Sequence, residues 1–545
     1  MVVQSETLVV DDQPFRDRVE GLYEKIVALA AAALVGQFFQ LVFFVTAMIT
    51  IIGLAVGIDY SLLIVSRYRE ELRRGLDKIE AIALAGATAS RTVVFSGITV
   101  VVALMGLLIV PMSVYQSLSA GAILVVIASV VTALTLLPAV LSLLGDKVNA
   151  LRVPIIGRRL DRRASQRGGG LWDWLTRRVM RRPIVFLVLT AGPLIAAASP
   201  VFDLKTGFSG VDAFPDGIQA KEAFLILENE PKFSFGAAAP TEIAIDADVN
   251  SESVQAGIQR IRKALEADPD FARQFAIRDN GRDVTLVTAQ IAGEPNSDRA
   301  LDALERLRDK HITEAFDKHG VPAEVLVTGF TAFSKDFFVL ADRFTPFVFA
   351  FVLGLSFLLL TVVFRSIVIP AKAILMNLLS VGAAYGLIVL VFQKGVGADL
   401  LGFQQTDKIE AWLPLFLFSI LFGLSMDYHV FLLSRIRERY DQTGDNTEAV
   451  AYGLRSTAGL ITGAALIMVA VFGGFALGRL AGNQQVGFGL SVAVFLDATV
   501  VRSILVPSSM RLLGNFNWYL PSALHWLPDL RVEAAKPAEA TVPVE

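Results

Sequence analysis

Two Asp-Tyr pairs lie inside long apolar segments of this 545-residue sequence. Asp59 and Tyr60 occur in GLAVGIDYSLLIVSRYREE, and Asp427 and Tyr428 occur in GLSMDYHVFLLSRIRERY. Each aspartate is followed eight residues later by an arginine, so a helix would place the carboxylate roughly 12 Å from a basic anchor. A carboxylate at that depth in a membrane costs several kcal/mol if ionised, and it commonly marks a proton relay or an ion site.

The residues alone leave two interpretations of these pairs open. A buried phenol needs a hydrogen-bond partner, and the carboxylate of the other segment is the natural candidate for it. The two aspartate-bearing helices are therefore expected to pack side by side. Such a pair of carboxylates can load and release protons, or it can form a static polar latch between two helices.

The two Asp-Tyr segments belong to an internal repeat. Asp59 and Asp427 are 368 positions apart. Farther along, Ser96 resembles Thr462 because each is followed by glycine, and LLPAVLSLLG resembles LVPSSMRLLG. An even number of membrane crossings separates the repeats, so both run in the same direction. Ser96 and Thr462 are candidates for relay support, bonding either to the carboxylates or back to their own helices.

Three neighbouring features have simpler interpretations. His429 has no counterpart in the first repeat and is interpreted as local packing. Asp497 and Arg502 lie in the last span, and we expect a structural ion pair near its cytoplasmic end. Gly53 and Gly57, four residues apart, are typical of a close helix approach.

Composition excludes several classes of function. The chain is 54% hydrophobic, and its formal charge of -3 argues against a nucleic-acid partner. Cysteine is absent, and the four histidines are not clustered, which excludes thiol nucleophiles and makes a metal site or metal cofactor unexpected. Since no nucleotide or nucleophile motif is visible either, we do not expect an enzyme.

About ten apolar stretches are long enough to cross a membrane as helices. They lie near 24–43, 45–66, 92–110, 118–143, 184–200, 345–364, 367–392, 412–434, 457–477 and 485–506. Lysine and arginine collect in the connections 67–91, 147–182 and 435–455, which the positive-inside rule assigns to the cytoplasm. The fold class expected is a membrane all-α bundle with a parallel internal repeat.

These boundaries divide the chain into seven segments. The segments are a polar N-terminus (1–22), first-repeat helices (23–145), a basic cytoplasmic linker (146–182), one membrane helix (183–200), an extracytoplasmic α/β domain (201–343), second-repeat helices (344–510) and a cytoplasmic tail (511–545). In the α/β domain, the residues predict strands at 241–249, 272–278, 283–291 and 323–328, and helices at 251–267 and 298–318. This βαββαβ order is typical of a ferredoxin-like fold, with Ser251 and Asp298 as the expected caps.

The segment GLAVGIDYSLLIVSRYREEL, together with AGATASRTVVFSGITVVVALMGLL and FLDATVVRSILVPSSMRLLGNFNWYLP, resembles the MmpL family of RND transporters. The resemblance covers nearly all of 25–525. It implies a bundle of twelve helices with two porter domains, in which Asp59, Tyr60, Asp427 and Tyr428 form the proton relay. This chain would correspond to helices three to twelve with the second porter domain only. Three explanations stay open: a late gene start, a fragment, or a protein whose partner chain supplies the first span, the first porter domain and the second span.

The resemblance also implies a function. It predicts a secondary transporter in the bacterial plasma membrane that uses the proton-motive force to export lipids or other hydrophobic molecules. The alternative is a non-transporting or accessory membrane protein, such as a lipid-sensing scaffold, a translocation component or a truncated fragment.

Overall fold

The computed structural model describes residues 45–145, 171–208, 217–229, 239–273 and 275–527, with three single positions before residue 45. The span expected near 24–43, the segment 1–22, most of the linker and the end of the tail lie outside these residues. Within the described part, nine helices are long and apolar enough to cross a membrane. They coincide with the other nine predicted spans, although several extend farther at the basic ends.

The first half of the described chain is helical. It contains α1 (Val45–Arg73), α2 (Lys78–Met105), α3 (Ser113–Leu144), α4 (Leu171–Arg181) and α5 (Pro183–Ala198). The Asp77 side chain caps α2 by accepting a 2.7 Å hydrogen bond from the Glu80 amide. The short helix α4 belongs to the segment predicted as a basic linker, and Asp173 within it pairs with Arg455 at 3.0 Å.

An α/β domain follows α5. Its elements are β1 (Thr206–Gly207), α6 (Gln219–Asn229), β2 (Thr241–Asp246), α7 (Glu252–Ala267), β3 (Ala276–Asp279), β4 (Val284–Ala289), α8 (Asp298–Arg306), a π-helical turn (Leu307–Ile312) and β5 (Glu324–Gly329). Four strands form an antiparallel sheet in the order β3-β4-β2-β5. Ile243 and Val287 of the sheet pack with Ile261 of α7 in a separate hydrophobic core.

Of the two helix caps predicted in this domain, the position of Ser251 is confirmed and that of Asp298 was wrong. Ser251 is the N-cap residue of α7, but its side chain makes no capping hydrogen bond. The second helix is capped by Ser297, whose hydroxyl accepts from the Ala300 amide at 3.3 Å, and Asp298 is already the first helical residue.

The second half returns to the bundle. It contains α9 (Phe330–Phe364), α10 (Val368–Ile388), α11 (Ala398–Leu401), β6 (Ile409–Glu410), α12 (Leu413–Thr443), α13 (Asn446–Ala476), α14 (Ala481–Leu496), a π-helical segment (Asp497–Leu505) and α15 (Val506–Leu513). The helix α9 runs without a break across the boundary predicted at 343–344. One end of the bundle carries the α/β domain, and the other carries Arg67 and Arg435; we call the latter the basic end.

A short parallel bridge joins the two parts of the molecule. Strand β1 pairs with β6 through Thr206–Ile409 and Gly207–Glu410. The Glu410 amide also donates to Gln485 Oε1 at 3.0 Å. Strand β1, at the start of the α/β domain, is therefore linked through β6 to Gln485 in the first turns of α14.

The two repeats pack in a crossed arrangement. The helices bearing Asp59 and Asp427, which we predicted to lie side by side, meet through the hydrogen bond from Tyr428 of α12 to Asp59 of α1. Their closest backbone packing on the other repeat is that of α1 on α13 and of α12 on α2. A Cβ added at Gly423 of α12 would lie 3.1 Å from the Cα of Val100 in α2. Glycine is thus what permits this approach. Gly53 allows a similar approach of α1 to α3, since its Cβ would lie 2.6 Å from Val125 Cγ2.

Candidate functional site

The first Asp-Tyr contact joins the two repeats. The Tyr428 hydroxyl on α12 donates a hydrogen bond to Asp59 Oδ1 on α1 at 2.5 Å. The predicted contact between the phenol of one repeat and the carboxylate of the other is therefore confirmed for this pair. The role of the contact in proton transfer stays a prediction.

The reciprocal contact is described only on one side. Tyr60 is buried, and its hydroxyl accepts a 3.1 Å hydrogen bond from Ser96 Oγ. Asp427 lies in α12, but its side chain is outside the described residues, so its pairing with Tyr60 is not tested. Ser96 was expected to bond either to a carboxylate or to its own helix, and the described bond to Tyr60 is neither of these.

The structural register also corrects the pairing of Ser96 with Thr462. The caps of α2 and α13, Asp77 and Asp445, are 368 positions apart, like the two aspartates of the site. Both helices continue without interruption, so the counterpart of Ser96 is Ala464. Thr462 instead donates to the carbonyl of Ala458 at 2.5 Å. At equivalent positions of the two repeats, the site thus has the hydroxyl of Ser96 on α2 and the methyl group of Ala464 on α13.

A buried ion pair lies directly beside Tyr428. Arg502 Nε donates to Asp497 Oδ2 at 2.8 Å, and the side chains are 1% and 11% exposed. The guanidinium carbon of Arg502 lies 4.9 Å from the centre of the Tyr428 ring. The ion pair was predicted, but its position near the cytoplasmic end was wrong, because it contacts the residue that binds Asp59.

The π-helical segment explains how this ion pair forms. On an α-helix, side chains five residues apart point about 140° away from each other. In a π-helix the hydrogen bonds run between residues five apart, so such side chains share one face. Asp497 and Arg502 both lie in the π-helical segment Asp497–Leu505, which brings them together.

The sequence analysis missed two further polar residues. Ser425 Oγ lies 2.7 Å from Asn377 Oδ1 and 3.0 Å from Asp497 Oδ2, and Arg502 also binds Ser425. An isolated amide inside the apolar helix α10 was the available signal for Asn377. His429 is 1% exposed, and neither of its ring nitrogens bonds to a described residue.

Three cavities run in sequence past these residues. The first, of about 20 Å³, is lined by Asn377, Asp497 and Tyr428. The second, of about 40 Å³, is lined by Asp59, Ser96 and also Tyr428. The third, of about 60 Å³, opens at the basic end, and it shares four lining residues with the second: Leu63, Thr92, Phe431 and Leu460. Each exceeds the roughly 10–15 Å³ that one water requires.

A second polar network lies in the α/β domain. Asp268 accepts hydrogen bonds from Arg306 Nε at 3.3 Å and pairs with His311 Nε2 at 3.0 Å. Burial acts to raise the pKa of Asp268, but the hydrogen bonds from the Asp270 amide, His311 and Arg306 outweigh it, so the pKa lies below its usual value. In the described part of the chain, no group of three or more His, Asp or Glu side chains is arranged to hold a metal ion.

Comparisons with a family model and with curated proteins point to the same family. The model of the MMPL family matches residues 23–186 and 212–532. The mycolic acid-containing lipids exporter MmpL11 of Mycolicibacterium smegmatis is 36% identical over 526 residues, covering 94% of this chain and 53% of the relative. A protein named heme uptake protein MmpL11, from Mycobacterium tuberculosis, is 36% identical over 502 residues, covering 91% of this chain and 50% of its own length.

The chain thus spans about half the length of the curated relatives it matches. A solved structure of the translocon-associated membrane protein SecDF from a Thermus species shares the fold, with a TM-score of 0.51 and 17% identity over 91% of this chain and 58% of that one. This likeness supports a multi-pass membrane bundle of helices.

Proposed function

This chain belongs to the MMPL family, and from that premise we propose that it is a secondary transporter driven by the proton-motive force. Its substrate is a lipid or another hydrophobic molecule, exported across the plasma membrane. The name of the M. smegmatis relative supports the substrate class. One proton crossing 100 mV supplies about 2.3 kcal/mol, enough to sustain accumulation of a substrate.

One observation carries the proton-driven part of the proposal. The bond between Tyr428 and Asp59 joins the two repeats inside the membrane bundle, next to cavities large enough for water. A change of charge on Asp59 alters the strength of this bond, because hydrogen bonds to an ionised group are about twice as strong as neutral ones. Protonation of one side chain is thereby coupled to the contact between repeats.

The α/β domain is proposed to be the porter domain through which the substrate leaves. Its sheet order β3-β4-β2-β5 with two helices on one face supports the ferredoxin-like class. A partner chain that contributes to the exporting assembly belongs to the same proposal, since this chain spans about half the length of the relatives it matches.

The name of the M. tuberculosis relative favours a second candidate function, uptake of heme. Heme is also a hydrophobic ligand, but uptake runs in the opposite direction. An accessory role without transport is the third possibility. One assay separates these functions.

The assay uses the purified chain in liposomes that contain a pH-sensitive dye. A pH gradient is imposed, and proton flux is measured with no ligand, with a fluorescent lipid or with heme. We expect lipid-stimulated flux in the unmodified protein and a loss of about tenfold or more in Asp59→Asn, which keeps the shape of the side chain but cannot cycle its charge. Asp399→Asn removes the same charge from an exposed position and should leave the flux unchanged.

The other results each exclude a function. Equal flux in the unmodified chain and in Asp59→Asn would refute proton coupling through this residue. Stimulation by heme alone would favour the second candidate. Flux at the level of empty liposomes for the unmodified chain would assign it an accessory role, unless a partner chain restores the flux.

A further inference from the structure

A row of three hydroxyl side chains lies on α2 between the Asp59 site and the basic end. Thr88, Thr92 and Ser96 follow each other at intervals of four residues, so they lie on one face of the helix and span roughly 12 Å. At the inner end, Ser96 donates to Tyr60, the neighbour of Asp59. At the outer end, Thr88 accepts from Arg67 Nε at 3.3 Å.

Thr92, the middle hydroxyl, lines both cavities that lie on this route. It contacts the cavity of about 40 Å³ together with Asp59 and Ser96, and the cavity of about 60 Å³ together with Thr88 and Arg67. Both cavities have room for more than one water. Waters on either side of Thr92 would therefore complete a hydrogen-bonded path from Asp59 to the basic end.

Thr92 differs from most threonines of the bundle. Thr88, Thr135 and Thr462 each donate to the carbonyl four residues earlier on their own helix, which is the usual arrangement in an apolar environment. No hydrogen bond joins the Thr92 hydroxyl to another residue in the described ranges. Its donor and its acceptor are both available to water.

The duplicated helix α13 contributes only apolar side chains to the same cavities. In the structural register of 368, the counterparts of Thr92 and Ser96 are Leu460 and Ala464, and both line the cavity that contains Asp59. The duplicated helix α13 therefore presents carbon atoms where α2 presents hydroxyls. Between the two duplicated helices, the hydroxyls that line the route therefore come from α2 of the first repeat.

We propose that protons pass between Asp59 and the basic end through a half-channel whose polar wall is the hydroxyl row Thr88, Thr92 and Ser96 of the first repeat. The inference rests on the proposed function, because it assigns a route to the same proton. Each hydroxyl or water accepts one proton and releases another, so the path carries charge without any net chemical change. The distribution of basic residues places this opening in the cytoplasm.

The mouth of the half-channel does not present an uncompensated positive charge. Arg67 pairs with Glu70 at 2.8 Å, and Arg435 pairs with Glu438 at 3.0 Å. Unpaired arginines at a narrow opening would repel protons. Since each arginine has a carboxylate partner, the mouth lets protons pass.

Because the chain contains no cysteine, single-cysteine variants give a direct test of water access. A membrane-impermeant methanethiosulfonate reagent is applied from the cytoplasmic side to Thr92→Cys and to Ala458→Cys, whose position is 2% exposed and lines neither cavity. We expect Thr92→Cys to react at least about tenfold faster, because the thiolate that reacts forms only where water reaches it. Equal rates, or faster labelling from the opposite side, would overturn the half-channel.

Proton flux tests whether the path is used. Thr92→Val keeps the shape of the side chain and removes the hydroxyl, so it should slow the flux by about tenfold, the effect of one broken relay step. Thr92→Ser restores the hydroxyl and should restore most of the flux. Thr462→Val makes the same change at a threonine bonded to its own helix and should leave the flux within about twofold.

The two proposals fail in different ways. If Asp59→Asn abolishes flux and Thr92→Val does not, the half-channel is wrong and the proposed function stands. If Asp59→Asn keeps full flux, the proposed function is refuted, and the half-channel is refuted as a proton route even when Thr92→Cys is labelled.

Discussion

Replacing Arg502 by methionine would remove the positive charge of the buried ion pair beside Tyr428 and leave the negative charge of Asp497 in place. The arginine is 1% exposed and holds Asp497 through Nε at 2.8 Å. Methionine fills much of the same space without a charge. The substitution therefore leaves Asp497 in an apolar environment with only Ser425 as a hydrogen-bond donor among the described residues.

The expected loss of stability follows from these contacts. Removing one partner of a buried ion pair costs about 3–5 kcal/mol, and the contact of the guanidinium with the Tyr428 ring adds about 1 kcal/mol. We expect a total of about 4–6 kcal/mol. In the double variant Asp497→Leu with Arg502→Met, both charges are replaced by apolar groups, so most of this stability should return.

The assay is unfolding in detergent, followed by the fluorescence of the five tryptophans. Arg262→Met is the matched control, because it breaks an exposed pair with Glu266 whose side chains are 48% and 39% exposed. Such pairs contribute about 0–1 kcal/mol. An effect of Arg502→Met no larger than that of Arg262→Met would refute the energetic role assigned to this buried pair. A double variant no more stable than the single one would show that packing, and not charge, holds the segment.

Three further predictions concern single side chains. Tyr428→Phe removes the hydrogen bond to Asp59 and keeps the ring, so proton flux should fall by about tenfold or more, corresponding to about 1.5–3 kcal/mol; flux equal to that of the unmodified protein would contradict it. Ser297→Ala should lower the free energy of opening of α8, measured by hydrogen exchange, by about 1 kcal/mol. Ser251→Ala should leave that of α7 nearly unchanged, because only Ser297 caps through its side chain; similar effects at both sites would exclude this explanation. The lowered pKa of Asp268 means that its network stabilises the α/β domain fully above about pH 4 and loses this contribution as the pH falls through the lower folded value; hydrogen exchange in the domain should show this loss in the unmodified protein and not in Asp268→Asn.

The position of the first Asp-Tyr contact could be predicted from sequence for a simple reason. Equal spacing from Asp59 and Asp427 to a basic residue sets equal depth, and a buried phenol needs a partner. The existence of the nine described spans followed from apolar length in the same way, whereas several of their ends did not. The α/β domain was predictable as elements because its strands and helices have distinct periodicities.

The alignment of α2 with its counterpart α13 could not be obtained from local sequence similarity alone. Ser96-Gly97 resembles Thr462-Gly463, but a helix turns by about 200° over two residues, so this match puts the hydroxyls on opposite faces. The caps Asp77 and Asp445 gave the structural register, and they lie outside the matching segment. The alignment followed the local match of Ser96-Gly97 with Thr462-Gly463, although the capping residues at the start of each helix were the better signal.

The predicted position of the ion pair between Asp497 and Arg502 was wrong for a different reason. A separation of five residues indicates opposite faces on an α-helix, so the ion pair predicted for Asp497 and Arg502 had no geometric support in the sequence, and nothing there placed it beside Tyr428. The π-helical segment depends on how the helix packs against its neighbours. The shared face that it gives to Asp497 and Arg502 was visible only in the structure.

That segment also leaves a mark on the duplication itself. The third helix of the first repeat, Ser113–Leu144, is an uninterrupted α-helix of 32 residues. The matching stretch of the second repeat, from Ala481 to Leu513, is one residue longer and contains the π-helical segment. One additional residue within a helix of nearly fixed length is what a widened turn accommodates. An exact twofold rotation therefore cannot superimpose these two helices along their whole length, and the buried cation Arg502 lies in the repeat that carries the additional residue.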